Sequence, residues 1–358
     1  MRILVAGGGV SGLATAVALG ARGHHVLVLE QRPVFTEGGA GIRLAPRDFR
    51  LLDRLGVGDA VRERSLAIGE FRTMDGATGK PVGTIPLPGA HADGRAAHAT
   101  AHRLDVHEPL LDACWELDAV QLCPDSRVVG HAEHGESVVA ALADGRSVTG
   151  DALVLTGAAR SVVRHDARWA DDVPPERAAV YHTVIPMESV AEHWQDGPAT
   201  SWVGPGWHLS HYPLPDARYL SLSATRHHHT GADLDGARVD LEHVLAAFPE
   251  IGYAARNVLT MGHTWRARTL PARTAASRRT RGRVALVTES AEPPRPLEAS
   301  GLQHALADAL GLAASWDASA GESLRGLADH DTRRPDSAPD ATVRARCGAG
   351  RQGCRNGA

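Results

Sequence analysis

The sequence lacks an excess of charge of either sign. Lys and Arg together number 38 against 42 Asp and Glu, which gives a formal net charge of −4. Without a strong basic field, little affinity for nucleic acid would come from counterion release, so the composition argues against a nucleic-acid partner. Lys80 is the only lysine, and the one basic cluster, Arg278–Arg283, is interpreted as a solvated loop before a strand.

Cysteines and long apolar runs are scarce as well. Cys114, Cys123, Cys347 and Cys354 follow no zinc or disulfide spacing, so we expect a reduced protein with no metal site. No stretch approaches the ~20 apolar residues of a membrane span. Because Met1 leads directly into an apolar strand, we expect no signal peptide and a cytoplasmic protein without a membrane partner.

The best-defined motif lies in the first thirty residues. Two apolar runs, Arg2–Ala6 and His25–Leu29, flank a glycine turn, Gly7–Gly12, and a helix of small residues, Leu13–Leu19. This order of strand, turn, helix and strand, closed by the acid Glu30, is typical of a dinucleotide-binding unit. The alternative is an ordinary glycine-rich turn, and the register of all the parts argues against it.

Each part of this motif has a role in holding a dinucleotide. Gly7 allows the tight turn, Gly9 lets the backbone approach a pyrophosphate, and Gly12 lets the helix pack on the strand. The N–H groups at the helix start face the phosphates, and Glu30 accepts hydrogen bonds from a ribose. The predicted cofactor contacts in this unit are Gly7, Gly9, Val10, Ser11, Gly12, Glu30 and Gln31.

Two kinds of sequence pattern alternate along the rest of the chain. One alternates apolar strand-like runs with helical stretches, and the other has short β-like runs that carry most of the aromatic residues. We predict an α/β fold, in which a discontinuous Rossmann-like domain is interleaved with an antiparallel β-sheet substrate domain. The predicted boundaries are 1–68, 101–176 and 276–345 for the first domain, 69–100 and 177–275 for the second, and 346–358 for a flexible tail.

Several further elements are predicted from apolar periodicity and turn signals. A helix near Val239–Phe248 is expected to cover the antiparallel sheet, and Val258–Trp265 is expected to return as a strand. The remaining helices are predicted at Arg103–Trp115, Arg160–Arg164, Gly301–Trp316 and Glu322–Arg334.

Five motifs follow one another along the chain: Gly7–Gly12 with Glu30, Gly39–Pro46, His102–Asp105, Arg160–Arg164 and Gly282–Val287. In this order they resemble the single-component FAD-dependent aromatic hydroxylases, the group of para-hydroxybenzoate and salicylate hydroxylases, over residues 1–345. The resemblance implies one FAD that is reduced by NAD(P)H and used with O₂. It implies a monooxygenase, monomeric or homodimeric, that hydroxylates or epoxidises an aromatic or polyketide-like small molecule of secondary metabolism.

The resemblance also implies roles for residues outside the first unit. Arg103 would contact the phosphate region of FAD, whereas Glu289 and Gly301 would hold the ribityl and flavin end. Pro296 matches a family proline beside the reactive face of the flavin. The remaining cofactor contacts implied by the matched motifs are Arg43 and Leu302.

Three segments depart from the family pattern at the flavin end. Thr156–Ser161 lacks the acid of the family's Asp-Gly, Thr288-Glu289 replaces its Gly-Asp, and Ala299–Gln303 keeps only one glycine of its Gly-Gln-Gly-x-Asn. Since the three losses converge on one ligand, we expect FAD binding to be weakened or lost. Two alternatives follow: a flavin-independent cyclase or isomerase on this scaffold, and a catalytically silent homologue.

Candidate residues for chemistry lie in the predicted substrate domain and in the loop before the last core helix. An acid at position 292 could act as a general base or pair with Arg295. His208 and His211 lie three apart on a predicted strand, so they face opposite sides and cannot form a metal pair. His227–His229 is interpreted as a solvated turn. The catalytic candidates are His208, Tyr212, Glu292 and Arg295, and the substrate contacts are Tyr181, Trp202, Trp207, His211 and Pro296.

Overall fold

The structure is a computed structural model of the 358-residue chain. It describes residues 1–38, 40–87, 98–157, 177–195, 197–215, 218–227, 229, 231, 234–271, 280–287 and 300–318. Several predictions lie outside the described residues, namely the helices at Arg160–Arg164 and Glu322–Arg334, the loop 288–299 and the tail 346–358.

The described helices and strands alternate in the order that an interleaved α/β protein requires. The helices are α1 (Val10–Gly20), α2 (Pro46–Arg54), α3 (Gly58–Glu63), α4 (Arg103–Trp115), α5 (Glu192–Gln195), α6 (Leu241–Ala247), α7 (Tyr253–Leu259) and α8 (Ser300–Ala318). The strands are β1 (Arg2–Ala6), β2 (His25–Leu29), β3 (Gly41–Leu44), β4 (Leu66–Ala67), β5 (Glu70–Asp75), β6 (Pro81–Pro86), β7 (Ala99–His102), β8 (Val120–Cys123), β9 (Val128–His134), β10 (Ser137–Leu142), β11 (Ser147–Gly150), β12 (Ala152–Thr156), β13 (Arg177–Pro186), β14 (Ala199–Gly204), β15 (Trp207–Pro213), β16 (Tyr219–Arg226), β17 (Asp235–Val239), β18 (Trp265–Pro271), β19 (Thr280–Arg281) and β20 (Val284–Val287).

A six-stranded sheet in the order β19-β20-β12-β1-β2-β8 forms the centre of the first body. All its neighbouring strands run parallel except the short edge strand β19. The strands are continuous apolar runs because both faces of the sheet are covered. Ile3 and Val5 pack against α1 and α8, whereas Leu4 and Ala6 pack against the three-stranded sheet β9–β11. The predicted Rossmann-like architecture is confirmed.

The second sheet has eight strands in the order β17-β18-β13-β16-β15-β14-β5-β6. Its pairings are antiparallel, as predicted, except that β14 and β5 run parallel. The parallel pair brings β5 and β6 from the segment 69–100 into the sheet formed by residues 177–271. Helices α6 and α7 cover one face of this sheet and bury a second hydrophobic core there.

The predicted strand at Val258–Trp265 is wrong. Helix α7 extends to Leu259, because Ala255, Val258 and Leu259 recur at helical spacing and are all buried. Of the predicted range, only its last residue, Trp265, lies in a strand, β18. The covering helix predicted near Val239–Phe248 is α6. Its first turn is capped by the Asp240 carboxylate, which accepts a hydrogen bond from the His243 N–H at 2.8 Å.

A small sheet connects the two bodies. Its strands lie in the order β3-β7-β4. Strand β3 crosses the face of the large sheet that is opposite α6 and α7. A Cβ on Gly41 would collide with the side chains of Ser221 and Leu214, so this close approach requires glycine. Thr100 on β7 donates a hydrogen bond to the Pro213 carbonyl at 2.6 Å. No helix among the described residues is long and apolar enough to cross a membrane.

Candidate functional site

The glycine turn after β1 has the shape that a dinucleotide requires. Gly7 has a φ of +109°, which strongly favours glycine. A Cβ on Gly12 would collide with the Gly7 carbonyl oxygen, so α1 can approach the turn only with glycine at this position. Thr156 at the end of β12 donates a hydrogen bond to the Ala6 carbonyl at 2.9 Å, and His107 donates one to the Gly8 carbonyl at 2.8 Å. The turn is therefore fixed from two sides.

Glu30 lies beside this turn at the end of β2, as the sequence predicts. Its side chain is buried, and one carboxylate oxygen accepts a hydrogen bond from the Gly8 N–H at 2.6 Å. The other oxygen accepts one from the Arg32 N–H at 3.0 Å. Gln31 is exposed next to it. The buried acid beside the glycine turn suits a ribose, so the adenosine half of a dinucleotide fits the described residues.

The start of α1 carries a contact that the sequence did not predict. Val10 donates its N–H to the Glu37 carboxylate at 3.0 Å, and Arg103 lies 3.5 Å from the same oxygen. Ser11 is buried in the first turn. Burial alone would raise the pKa of Glu37, but Arg103, the Val10 N–H, Arg268 and His107 lower it from 4.5 to about 2. Arg103 thus lies at the phosphate end of the turn, where its cofactor role was predicted.

The flavin half of the predicted site is described only at the start of α8. Gly301 is half-buried in the first turn, and the Leu302 side chain packs into the first hydrophobic core. Any contact of Leu302 with a cofactor is therefore through its backbone. The other residues predicted there lie outside the described residues: Glu289, Glu292, Arg295 and Pro296.

The face of the large sheet opposite α6 and α7 carries polar side chains beside a small hydrophobic cluster that includes Phe71 and Leu214. His208 and Tyr212 lie on it, four residues apart on β15, and His182 on β13 shares this face. Burial, His227 and Arg43 lower the pKa of His208 to about 3. Its Nδ1 lies 3.3 Å from Nε2 of His227. The His208 ring is therefore neutral at pH 7 and belongs to a histidine pair.

Arg43 and Tyr212 meet where β3 crosses this polar face. The Arg43 guanidinium lies over the Phe71 ring, 4.8 Å from its centroid, and lines a small cavity that includes Phe71 and His98. Burial lowers the pKa of Arg43, against the raising effects of Tyr212 and Asp48. Burial raises the pKa of Tyr212, against lowering effects that include Arg43. Within the described part of the chain, the Arg43 guanidinium makes no hydrogen bond or ion pair.

The surroundings of the Arg43 guanidinium also suit a contact with a substrate. The resemblance implied that Arg43 contacts the cofactor, and its guanidinium packs on a residue of the large sheet and lies beside Tyr212 and His208. The half-buried guanidinium forms no ion pair with a described carboxylate, and burial raises the pKa of the nearby Asp48 carboxyl to about 7, so the arrangement favours an anionic group of a ligand. Phe71 gave no signal in the sequence, because β5 is short and lies far from β15 along the chain.

Four residues predicted as substrate contacts lie on the other face of the large sheet. Tyr181, Trp202 and Trp207 belong to the core beneath α6 and α7, where Phe248 packs against Tyr181 and Trp207. His211 is also on this face, with its ring centroid 5.1 Å from that of Trp194. The sheet separates all four from His208 and Tyr212. The predicted substrate contacts Tyr181, Trp202, Trp207 and His211 thus lie on the opposite face from the catalytic candidates, because alternate residues of a strand face opposite sides.

The described residues of the histidine-rich turn, His227 and His229, belong to no candidate metal site. The described residues contain no group of three His, Cys, Asp or Glu side chains placed to hold a metal ion. His227 instead stacks with His208.

Comparisons with known proteins identify the scaffold. The family described as "FAD binding domain" matches residues 1–332. The chain is 31% identical to 3-hydroxybenzoate 6-hydroxylase 1 of Aquipseudomonas alcaligenes, over 87% of this chain and 79% of the relative. It is 29% identical to 3-amino-4-hydroxybenzoate 2-monooxygenase of Streptomyces cremeus, over 97% of this chain and 86% of the relative. The structure of 2,6-dihydroxypyridine-3-hydroxylase from Arthrobacter nicotinovorans has a similar fold, with a TM-score of 0.72, 22% identity and coverage of 92% and 87% of the two chains.

Proposed function

Because this chain belongs to the FAD-binding family of flavoprotein aromatic hydroxylases, whose members use FAD with NAD(P)H, we propose that it hydroxylates a phenolic carboxylic acid. One observation carries the choice of substrate. Arg43, His208 and Tyr212 come from two different sheets and converge on one buried polar face. A cation that forms no ion pair with the described residues, a neutral imidazole and a phenol in one place suit an anionic, hydroxylated ring. Two relatives are named as enzymes of hydroxybenzoates, which supports this class.

Arg43 is proposed to hold the carboxylate of the substrate. Its guanidinium is planar and fixed over Phe71, and such a fork suits bidentate binding of a carboxylate. The ion pair would form in a largely buried place, where charge-assisted hydrogen bonds are strong. Arg43 would thus orient the ring before the reaction starts.

His208 is proposed to accept a hydrogen bond from the substrate phenol, because an imidazole with a pKa of about 3 is too weak a base to remove its proton. Its ring is neutral at pH 7, and Nε2 makes no hydrogen bond within the described residues. A phenol that donates a hydrogen bond to a neutral acceptor becomes a more electron-rich ring, which favours oxygen insertion. Nε2 of His227 lies 3.3 Å from Nδ1 of His208 and would orient the His208 ring for this contact. When bound, FAD takes a hydride from NAD(P)H and activates O₂, so the protein need not supply the oxygen.

Tyr212 is proposed to position the phenol as a hydrogen-bond donor. Its raised pKa, caused by burial, keeps its own hydroxyl protonated at neutral pH. It lies on the face of His208, and its cross-strand neighbour is Ser221. A neutral donor beside a neutral acceptor can hold a hydroxyl group in one orientation.

A spectrum and an oxidation assay test this function. The purified protein, supplied with FAD, should become yellow and should oxidise NAD(P)H faster when 3-hydroxybenzoate or 3-amino-4-hydroxybenzoate is added. The methyl esters of these acids should stimulate oxidation far less, because they lack the anion for Arg43. Equal stimulation by acid and ester would contradict the carboxylate assignment.

A flavin-independent enzyme is the second candidate, and the departures from the family motifs favour it. Thr288-Glu289 and the segment Ala299–Gln303 replace residues that hold the flavin in the family. A protein that stays colourless with excess FAD would contradict the hydroxylase. Turnover without O₂ or a nicotinamide would then support a cyclase or isomerase over a silent homologue.

A further inference from the structure

The Glu37 carboxylate lies at the start of α1, where dinucleotide-binding folds hold the phosphates of the cofactor. Its carboxylate accepts the Val10 N–H at 3.0 Å, which is a donor in the first turn of the helix. A Cβ on Gly9 would lie 2.7 Å from the same carboxylate oxygen. Gly9 is the glycine whose missing side chain admits a pyrophosphate in this motif. The Glu37 carboxylate therefore fills the space that this glycine opens.

The charges around Glu37 make it a strong substitute for a phosphate. Arg103 lies 3.5 Å from its carboxylate, and Arg268 and His107 contribute further positive potential. The side chain of Glu37 is only 9% exposed. The pKa of about 2 means that it is charged at neutral pH. The helix start carries a partial positive charge, so an anion at this point stabilises the helix.

We propose that Glu37 is a built-in competitor of the FAD diphosphate and thereby sets the affinity of this protein for its cofactor. The inference rests on the proposed function only in that FAD binds at this turn. A diphosphate and the Glu37 carboxylate cannot both take the Val10 N–H and the space above Gly9. FAD binding therefore requires Glu37 to leave, and the cofactor-free protein gains from its presence.

Two variants, Glu37→Gln and Glu37→Ala, test the competition. Both remove the charge, and only glutamine keeps a hydrogen-bond acceptor for Val10. We expect both to bind FAD about tenfold more tightly than the wild type, measured by quenching of flavin fluorescence. ADP, followed by calorimetry, should show the same gain because it carries the diphosphate without the flavin. Both variants should also melt at a lower temperature than the wild type when no ligand is present.

The matched control is Glu188→Gln, at an exposed position on the second body. It should leave both affinities unchanged. If Glu37→Gln binds like the wild type and Glu37→Ala binds more weakly, Glu37 merely supports the turn and the inference fails. It also fails if neither FAD nor ADP binds to any variant. If both ligands bind more tightly to the variants but no aromatic acid stimulates NAD(P)H oxidation, the inference stands and the proposed function fails.

Discussion

The two faces of the eight-stranded sheet are made by alternate residues of the same strands, yet they differ in chemistry. On β15, Trp207 and His211 face the helices α6 and α7, whereas His208 and Tyr212 face the small sheet that carries Arg43. The first face is a hydrophobic core that contains Tyr181, Trp202, Trp207, Phe248 and Trp265. The second face is polar and collects titratable groups whose pKa values are displaced by burial.

The difference between the two faces indicates that the polar face is the better candidate for the substrate site. Aromatic side chains attract attention in a sequence as possible walls of a ligand pocket, but here they fill the space under two helices. The polar face could not be covered by a helix without leaving buried polar groups unsatisfied. It instead meets the dinucleotide-binding body through β3, and a substrate lying there would be close to both bodies.

The largest expected effect is on the stability of the helix-covered face. Trp207→Ala should lower the free energy of unfolding by about 3–5 kcal/mol, because it empties a fully buried indole site. Gly76 and Gly204 leave room for this ring, so little can move in to fill the hole. The KM for the aromatic acid should stay unchanged. Urea unfolding and steady-state kinetics check the two halves of the prediction.

A matched control for this variant is Trp115→Ala, since Trp115 is 69% exposed. Its effect on unfolding should stay within about 0.5 kcal/mol. A rise in KM for Trp207→Ala without loss of stability would place the substrate on the face beneath α6 and α7. That result would contradict the assignment of the substrate site to the polar face.

On the polar face, Arg43→Met should reduce kcat/KM for a phenolic acid by about 1000-fold, since a buried ion pair with the substrate is lost. The free energy of unfolding should change by no more than about 1 kcal/mol, because methionine loses only the contact with the Phe71 ring and a weak attraction to Asp48. Arg50→Met, at an exposed position on α2, is the control and should behave as the wild type. For a neutral amide analogue of the substrate, Arg43→Met should reduce kcat/KM only slightly. An equal reduction for the acid and the amide would show that Arg43 supports the fold.

His208→Leu should reduce kcat by about tenfold, because it removes one hydrogen-bond acceptor for the substrate phenol. The loss should shrink for substrates with acidic phenols, which lose their proton without help. Initial rates for a series of ring-substituted phenolic acids measure this trend. The same loss across the whole series would assign His208 a packing role.

The smallest effect is expected three residues away, at His211. Its Nε2 has no hydrogen-bond partner among the described atoms, so His211→Leu should raise the free energy of unfolding at pH 7 by about 1 kcal/mol. Kinetic constants for the aromatic acid should not change. A large loss of activity would contradict the separation of the two faces.

The pH dependence of stability gives His211→Leu a second readout. Burial, with a smaller effect of Arg72, lowers the pKa of His211 from 6.5 to about 4 in the folded protein. Below pH 6.5 the unfolded chain binds a proton that the folded chain does not bind, so stability falls as the pH falls towards 4. The leucine variant lacks this contribution and should lose less stability over that range, as urea unfolding at pH 7 and pH 5 would show.

The dinucleotide unit was predictable because local patterns define it. Gly7–Gly12, Glu30 and their flanking strands are adjacent in sequence, and each residue type is dictated by backbone geometry or by one ligand contact. The strands of the large sheet were predicted for the same reason, from alternating apolar residues. Helix α7 was missed because its short apolar pattern also suits a strand.

The substrate site could be predicted only in part. The strand period showed that His208 and His211 face opposite sides, but not which side meets the other body. Phe71 reaches Arg43 through a parallel pairing between strands that are far apart along the chain, and Glu37 reaches Val10 across a loop. Such long-range contacts leave no periodic signal, so the roles proposed for Arg43 and Glu37 could be argued only with the structure.

The most direct test of the account is an experimental structure of the FAD-loaded protein with a phenolic acid bound. The account predicts that the carboxylate lies within hydrogen-bonding distance of the Arg43 guanidinium and that the phenol lies beside His208 and Tyr212. A ring bound against Trp202 and Trp207 beneath α6 and α7, or a carboxylate held away from Arg43, would contradict it.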